Sequence, residues 1–253
     1  MMRKIDLNAD MGESFGDWTL GNDAALMGIV TSANIACGFH AGDPDVMAKT
    51  MALAVARGVG IGAHPGFPDL QGFGRRRMVI APETLGNMIR YQLGAAMAMA
   101  RAAGGTIGHF KLHGALSNMA TTDMALAQTC FAAARDIAPE IIMLVLVNTP
   151  MQTAAEAMGC NWVGEVFADR AYNDDCSLVD RRLPGAVIHD PAVAAQRMRD
   201  MVREGAIITE TGQRIAANFG TICVHGDTPE AIDIAKAVRR GLEGDGVAVR
   251  GFG

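Results

Sequence analysis

Short apolar runs alternate along the whole chain with longer stretches whose apolar residues recur every three to four positions. The runs at 4–9, 32–37, 60–63, 106–111, 141–147, 162–167 and 220–224 are rich in Val, Ile and Phe. Most are too short for helices, so they predict seven strands. Between them, Asp43-Pro44, Thr149-Pro150, Asp190-Pro191 and Thr228-Pro229 each place a helix-capping side chain before a proline at the first helical position. Proline loses nothing there, because its missing N–H would have no partner inside the helix. Ala81-Pro82 opens a further helix with a weaker cap, and over 84–103 Leu85, Met88, Ile89, Leu93, Met97 and Ala100 share one face. Alternation of this kind predicts an α/β fold with a mostly parallel sheet, open or closed.

No linker or low-complexity tract divides the chain, so a single domain over 1–253 is expected. Two segments break the rhythm: 62–78 is dense in Gly and Pro, and 169–186 is dense in Asp and Arg. Loops this long inside compact domains are usually functional. The stretch 205–217, centred on Thr211-Gly212, reads as a β-hairpin.

Composition narrows the field. A chain of 253 residues can bury a sizeable core. The net charge of −5, with no basic stripe, argues against nucleic acid as a partner. The longest apolar run, 141–147, is too short to span a bilayer, and a charge-bearing strand follows Met-Met-Arg-Lys where a signal peptide would lie. Five cysteines without CxxC spacing are simplest as reduced thiols, so a cytoplasmic protein with no membrane partner is expected.

The polar residues fall at the strand ends. Asp10 and Glu13 follow the first strand, His40 and Asp43 the second, and His64 the third. Lys111 and His113 close the fourth, Asp169 and Arg170 the sixth, and His225 and Asp227 the seventh. In parallel α/β folds these ends share one face, where active sites form. One such histidine is as readily a cap or a hydrogen-bonded surface residue. Four at corresponding positions point to a polar site. Strand periodicity sets Asp6, Asn8 and Asp10 on one side of the first strand, either paired with other inward groups or facing a ligand. Asp10, Glu13, His40 and His64 suit a divalent metal, and the same groups suit proton transfer equally well. Arg75 and Arg76, beside Gly72-Phe73-Gly74, could clamp an anion or form a solvated face, and Arg170 carries the same ambiguity. There is no GxxxxGK[ST] loop, no GxGxxG after a strand and no GxSxG elbow.

The stretches IDLNADMGESFG, TSANIACGFHAGDP, GVGIGAHPGFPDLQGFGRR, HGAL, EVFADRAYNDD, LPGAVIHD and VHGDTPEA resemble the LamB/YcsF family, in order and over nearly the whole chain. The resemblance implies a seven-stranded (β/α) barrel similar to polysaccharide deacetylases. It implies work as the A subunit of an ATP-dependent 5-oxoprolinase, beside subunits B and C, converting 5-oxoproline, ATP and water to glutamate, ADP and phosphate. Asp10, His64, Lys111 and His113 are then the catalytic candidates. Asn8, Glu13, Arg75, Arg76, Arg170 and His225 are the substrate-binding candidates, and a divalent metal is expected, if at all, on Asp10, His40 and His64. The chain departs from the family at Leu112 and Ser117, where proline and tyrosine are expected, and at Cys176, where glycine is expected. A stand-alone metal-dependent amidase or sugar deacetylase is the alternative, and a non-catalytic 5-oxoproline carrier is a third.

Overall fold

The computed structural model describes residues 3–226 and 229–251. Six strands, β1 (Lys4–Met11), β2 (Ser32–Ala36), β3 (Gly60–His64), β4 (Ile107–Phe110), β5 (Ile142–Leu146) and β6 (Trp162–Phe167), pair in chain order, all parallel. A hairpin follows, β7 (Ala206–Ile208) with β8 (Arg214–Ala216), and then β9 (Thr221–Val224) inserts between β6 and β1 and closes the ring. The result is a closed seven-stranded parallel barrel, which settles the open-or-closed alternative. A short strand, β10 (Ala248–Val249), pairs with Lys4 and Ile5, ahead of the part of β1 that pairs with β2.

The helices are α1 (Asp23–Leu26), α2 (Pro44–Arg57), α3 (Pro82–Ala102), α4 (Gly114–Ala120), α5 (Met124–Ile137), α6 (Pro150–Ala157), α7 (Pro191–Glu204) and α8 (Ala231–Gly244). Asp43 and Asp190 cap α2 and α7 by accepting two backbone N–H groups each, and Gly58 and Gly205 end those helices in the left-handed conformation. Thr149 holds the N-cap position of α6, but its hydroxyl donates to Leu146 O at 2.7 Å and so does not cap. At α8 the helix begins at Ala231, with Pro229 in the preceding turn, while Thr228 lies outside the described residues. No helix among the described residues is long and apolar enough to cross a membrane.

The apolar core lies between the barrel wall and the helices, where Leu7, Ala9 and Met11 of β1 are wholly buried. The inside of the barrel is polar. Asp6 accepts hydrogen bonds from Thr31, Ser32 and Thr221. The Asn8 amide reaches across the ring to Glu165 Oε1 at 3.0 Å and to Thr221 Oγ1 at 2.7 Å, and Asn34 donates to Asn8 Oδ1 and Asp10 Oδ1. His109 Nε2 lies 2.8 Å from Asn34 Oδ1. Each of these inward polar residues is thus paired with another, which offsets the cost of burying them inside the barrel.

Candidate functional site

The barrel carries its ionisable groups to one end. Register places Asp10 opposite Asn34 and Ala36 opposite His64, so the carboxyl ends of β1, β2 and β3 come level. Lys111 and His113 follow β4 directly, and their backbone N–H groups donate to Ala63 O and Pro65 O, extending the sheet past its last formal pair. His40 enters from the loop after β2. Asp10, Glu13, His40, His64, Lys111 and His113 meet there, each under 10% exposed.

Lys111 Nζ donates to Asp10 Oδ1 at 2.8 Å and lies 3.2 Å from Glu165 Oε1 and 2.9 Å from Cys223 Sγ. Burial alone raises the Asp10 carboxyl, but His64 and Lys111 outweigh it and hold Asp10 well below the usual carboxylate range. Burial works against the Lys111 ammonium, yet Asp10, Cys223 and Glu165 hold it well above the usual lysine value. The pair is therefore ionic, and Lys111 is enclosed by its partners.

The histidines are oriented by backbone. His64 Nδ1 lies 2.8 Å from Lys111 O and His113 Nε2 lies 2.8 Å from Phe73 O, and a carbonyl accepts only, so both nitrogens carry the hydrogen. The remaining atoms, His64 Nε2 and His113 Nδ1, are 3.0 Å apart. Asp10 Oδ2 lies 3.3 Å from the first, and Glu13 Oε1 lies 3.6 Å from the second and 3.5 Å from His40 Nε2. His40 stacks on His113 at 3.6 Å between ring centres, and both its ring nitrogens are buried without a hydrogen-bond partner. Burial first, then the neighbouring imidazoles, pushes His40 and His113 well below the usual histidine value, so both rings are neutral.

Ligand atoms of Glu13, His40, His64 and His113 all lie within 4.8 Å of one another. Three imidazoles and a carboxylate suit a divalent ion of the zinc or manganese kind, with the carbonyls of Lys111 and Phe73 fixing two of the rings from behind. The residues fit the group. The expected set of Asp10, His40 and His64 shares its two histidines with this cluster; Asp10 stands beside it, engaged by Lys111 and Asn34.

The other expected residues lie further out or deeper. Asn8 is one layer down in the barrel, with its amide atoms bonded there. Arg75 stands at the rim, its guanidinium 4.8 Å from the Phe73 ring centre. Arg76 turns outward and clamps Asp69. Arg170 is buried and donates to Val179 O and Ala186 O, tying down the 169–186 loop. Its value falls to about 10 through burial and then Arg181. His225 pairs with Asp169 at the end of β9, and Asp227 lies outside the described residues.

Sequence reasoning did not single out Glu165, His109 or Asn34. A charged residue inside the apolar run Trp162–Phe167 was the available signal for Glu165. A cavity of about 620 Å³ lies at the opposite end of the barrel, lined by Ser32, Gly60, Gly108 and Ile142, away from the cluster.

The family model described as the LamB/YcsF family matches residues 5–253. The 5-oxoprolinase A subunit of Ruegeria pomeroyi is 62% identical over 251 residues, 99% of each chain. The crystal structure of a lactam utilization protein from Thermus thermophilus superposes with a TM-score of 0.93 at 42% identity, covering 98% of this chain and 100% of that one. A T48 deacetylase, at 12% identity and a TM-score of 0.50 over 98% of this chain and 87% of that one, shares the fold alone.

Proposed function

Since the chain belongs to the LamB/YcsF family, we propose that it is the ring-opening subunit of an ATP-dependent 5-oxoprolinase, working with subunits B and C on 5-oxoproline to give glutamate. The observation that carries this reading is the end-to-end identity of 62% with a protein named as the A subunit of 5-oxoprolinase. The buried acid, imidazole and ammonium groups at one barrel mouth support it, because they are suited to hydrolysis. A cytoplasmic location accords with the free cysteines.

A lactam resists water because its nitrogen donates into the carbonyl. Phosphorylation of the carbonyl oxygen at the expense of ATP, assigned here to the companion subunits, removes that donation and leaves an electrophilic carbon. Asp10, kept ionised by Lys111, accepts the proton of an attacking water, and His64 Nε2 lies 3.3 Å from its other oxygen. His113 holds the same pocket from the other side, and Glu13 keeps it electron-rich. Arg75 at the rim meets the substrate carboxylate or the departing phosphate. A divalent ion held by Glu13, His40, His64 and His113 would supply a polarised water.

The test is glutamate formation by the chain alone and with its companion subunits, each with and without ATP and a chelator. Glutamate only in the complete, ATP-supplied assembly is expected. The ligand cluster also favours a second reading, a stand-alone metal-dependent amidase. Turnover by the isolated chain without ATP, stopped by the chelator, would replace the first reading with that one.

A further inference from the structure

The ring nitrogen of a lactam must gain a proton as it leaves, and the groups at the cluster are badly placed to give one. The N–H groups of His64 and His113 are committed to Lys111 O and Phe73 O. The ammonium of Lys111 is enclosed by Asp10, Glu165 and Cys223, and Asp10 is ionised.

A different pair stands beside them. Ala9 is in register with Val224, and Phe167 with Cys223, so the chain beyond these pairs brings Asp10, His225 and Asp169 side by side. His225 Nδ1 lies 2.8 Å from Asp169 Oδ2 and 3.0 Å from Oδ1. Burial raises the Asp169 carboxyl, but His225 outweighs it and Asp169 is held ionised, an acceptor only. His225 Nδ1 facing that acceptor therefore carries a hydrogen. The Phe167 ring stacks on the imidazole at 5.2 Å and 17°, which restricts its rotation. The same Phe167 ring takes Lys111 Nζ at 5.1 Å on its face, so the pair is packed against the cluster. A Cβ on Gly226 would meet Asp10 O at 2.8 Å, so the next residue presses on Asp10 as well. The side chain of Asp169 is 4% exposed and that of His225 is 13% exposed, so the imidazole is the member of the pair that reaches outward.

We propose that His225 is the acid that protonates the departing lactam nitrogen, with Asp169 as its positioning residue. This rests on the ring-opening function proposed above. In the step, the oxygen of water bonds to the phosphorylated carbonyl carbon as Asp10 takes a water proton. The carbon–nitrogen bond breaks to leave an acyl phosphate, which a second water cleaves to carboxylate and phosphate. The bonding pair stays on nitrogen, which takes the proton of His225 Nε2, and the ring recovers a proton from solvent. Asp169 stabilises the imidazolium before transfer and holds Nε2 toward the substrate afterwards.

The experiment compares 5-oxoproline with its lactone counterpart in the complete ATP-supplied assembly. The ring oxygen of the lactone is the better leaving group and needs less protonation. His225→Gln is expected to lower kcat on the lactam by about 100-fold or more, with KM within about twofold, and on the lactone by less than about tenfold. Asp169→Asn is expected to show the same selective loss. Long-range ¹H–¹⁵N spectra of the full chain are expected to give one Nδ1–H tautomer for neutral His225, and a mixture in Asp169→Asn. Equal losses on the two substrates, or a raised KM with kcat unchanged, would mark His225 as a binding or structural group and overturn the assignment. A wild-type ring carrying its hydrogen on Nε2 overturns it whatever the kinetics. A wild-type assembly that forms no glutamate overturns the proposed function along with it, whereas a His225→Gln assembly as fast as wild type overturns only this assignment.

Discussion

His64 Nε2 and His113 Nδ1 face each other across 3.0 Å, and the other nitrogen of each ring is already committed to a backbone carbonyl. Rings so fixed turn Nε2 of one toward Nδ1 of the other, with the carboxylates of Asp10 and Glu13 close behind. Inside a protein such opposition is relieved by a cation between the groups, either a proton or a metal ion.

The chain is accordingly expected to take up about one divalent ion, measured by elemental analysis after dialysis against zinc or manganese. Glu13→Gln and His113→Ala are each expected to weaken uptake by at least about tenfold, because the first removes the anionic ligand and the second one donor of four. A dialysed wild-type chain containing no more metal than these variants would leave a shared proton as the cation.

Glycine at position 66 is required by proximity. A Cβ there would stand 2.7 Å from His40 Nδ1, so Gly66→Ala is expected to push the His40 ring off His113. Displacement by about 1 Å in a catalytic constellation costs on the order of 100-fold in rate. The variant should lose ring opening to about that extent while its urea unfolding midpoint stays close to wild type. Wild-type turnover would mean that His40 has no part in the site.

The barrel strands were readable because each is a short apolar run, and most end in an ionisable residue; Asp10, His64 and Lys111 mark three of those ends. Pairings across the barrel were not readable. Lys111 meets Cys223 from 112 positions away and Glu165 from another strand again, and local periodicity says nothing of which inward groups meet. Arg76 looked like its neighbour Arg75 because a run of arginines carries no directional information; the turn from Asp69 to Gly72 decides that one faces outward. β10 is two residues long, below the length at which alternation can be recognised.

Cys176 shows a sequence signal with a backbone cause. Glycine is expected at this position by family resemblance, and the structure gives it a φ of 66°, where a side chain costs about 1–2 kcal/mol. Asn173 O accepts its N–H, and the thiol is buried. Cys176→Gly trades relief of that strain against lost burial and should stay within about 1 kcal/mol of wild type. Cys176→Val adds a β-branch in the left-handed region and should lose more than about 2 kcal/mol. Chemical denaturation of the two variants checks the order, and a valine variant as stable as the glycine one would remove backbone strain as the explanation.

The Asp10–Lys111 pair allows the sharpest test of what holds the barrel mouth together. A carboxyl depressed in the fold contributes stability above its unfolded value of about 3.9 and loses it as pH falls through the lower folded value. Lys111, raised in the fold, contributes below about 10.4 and loses that contribution as pH rises through its higher folded value. Both contributions are present at neutral pH. Lys111→Met leaves Asp10 buried beside Asn34 with its nearest cation gone, and breaking a buried pair in this way costs about 3–5 kcal/mol. Acid should shrink the deficit, because protonating Asp10 discharges the orphaned carboxylate in the variant while wild type keeps its ion pair. Asp10→Asn combined with Lys111→Met should recover part of the loss at pH 7, since position 10 no longer carries an unpaired charge while Glu165 still lacks Lys111. Urea unfolding at about pH 7 and about pH 4.5 reads wild type and both variants. A Lys111→Met deficit that stays constant between the two pH values, with no recovery in the double variant, would show that Lys111 acts through its packing against Phe167 and not through its charge.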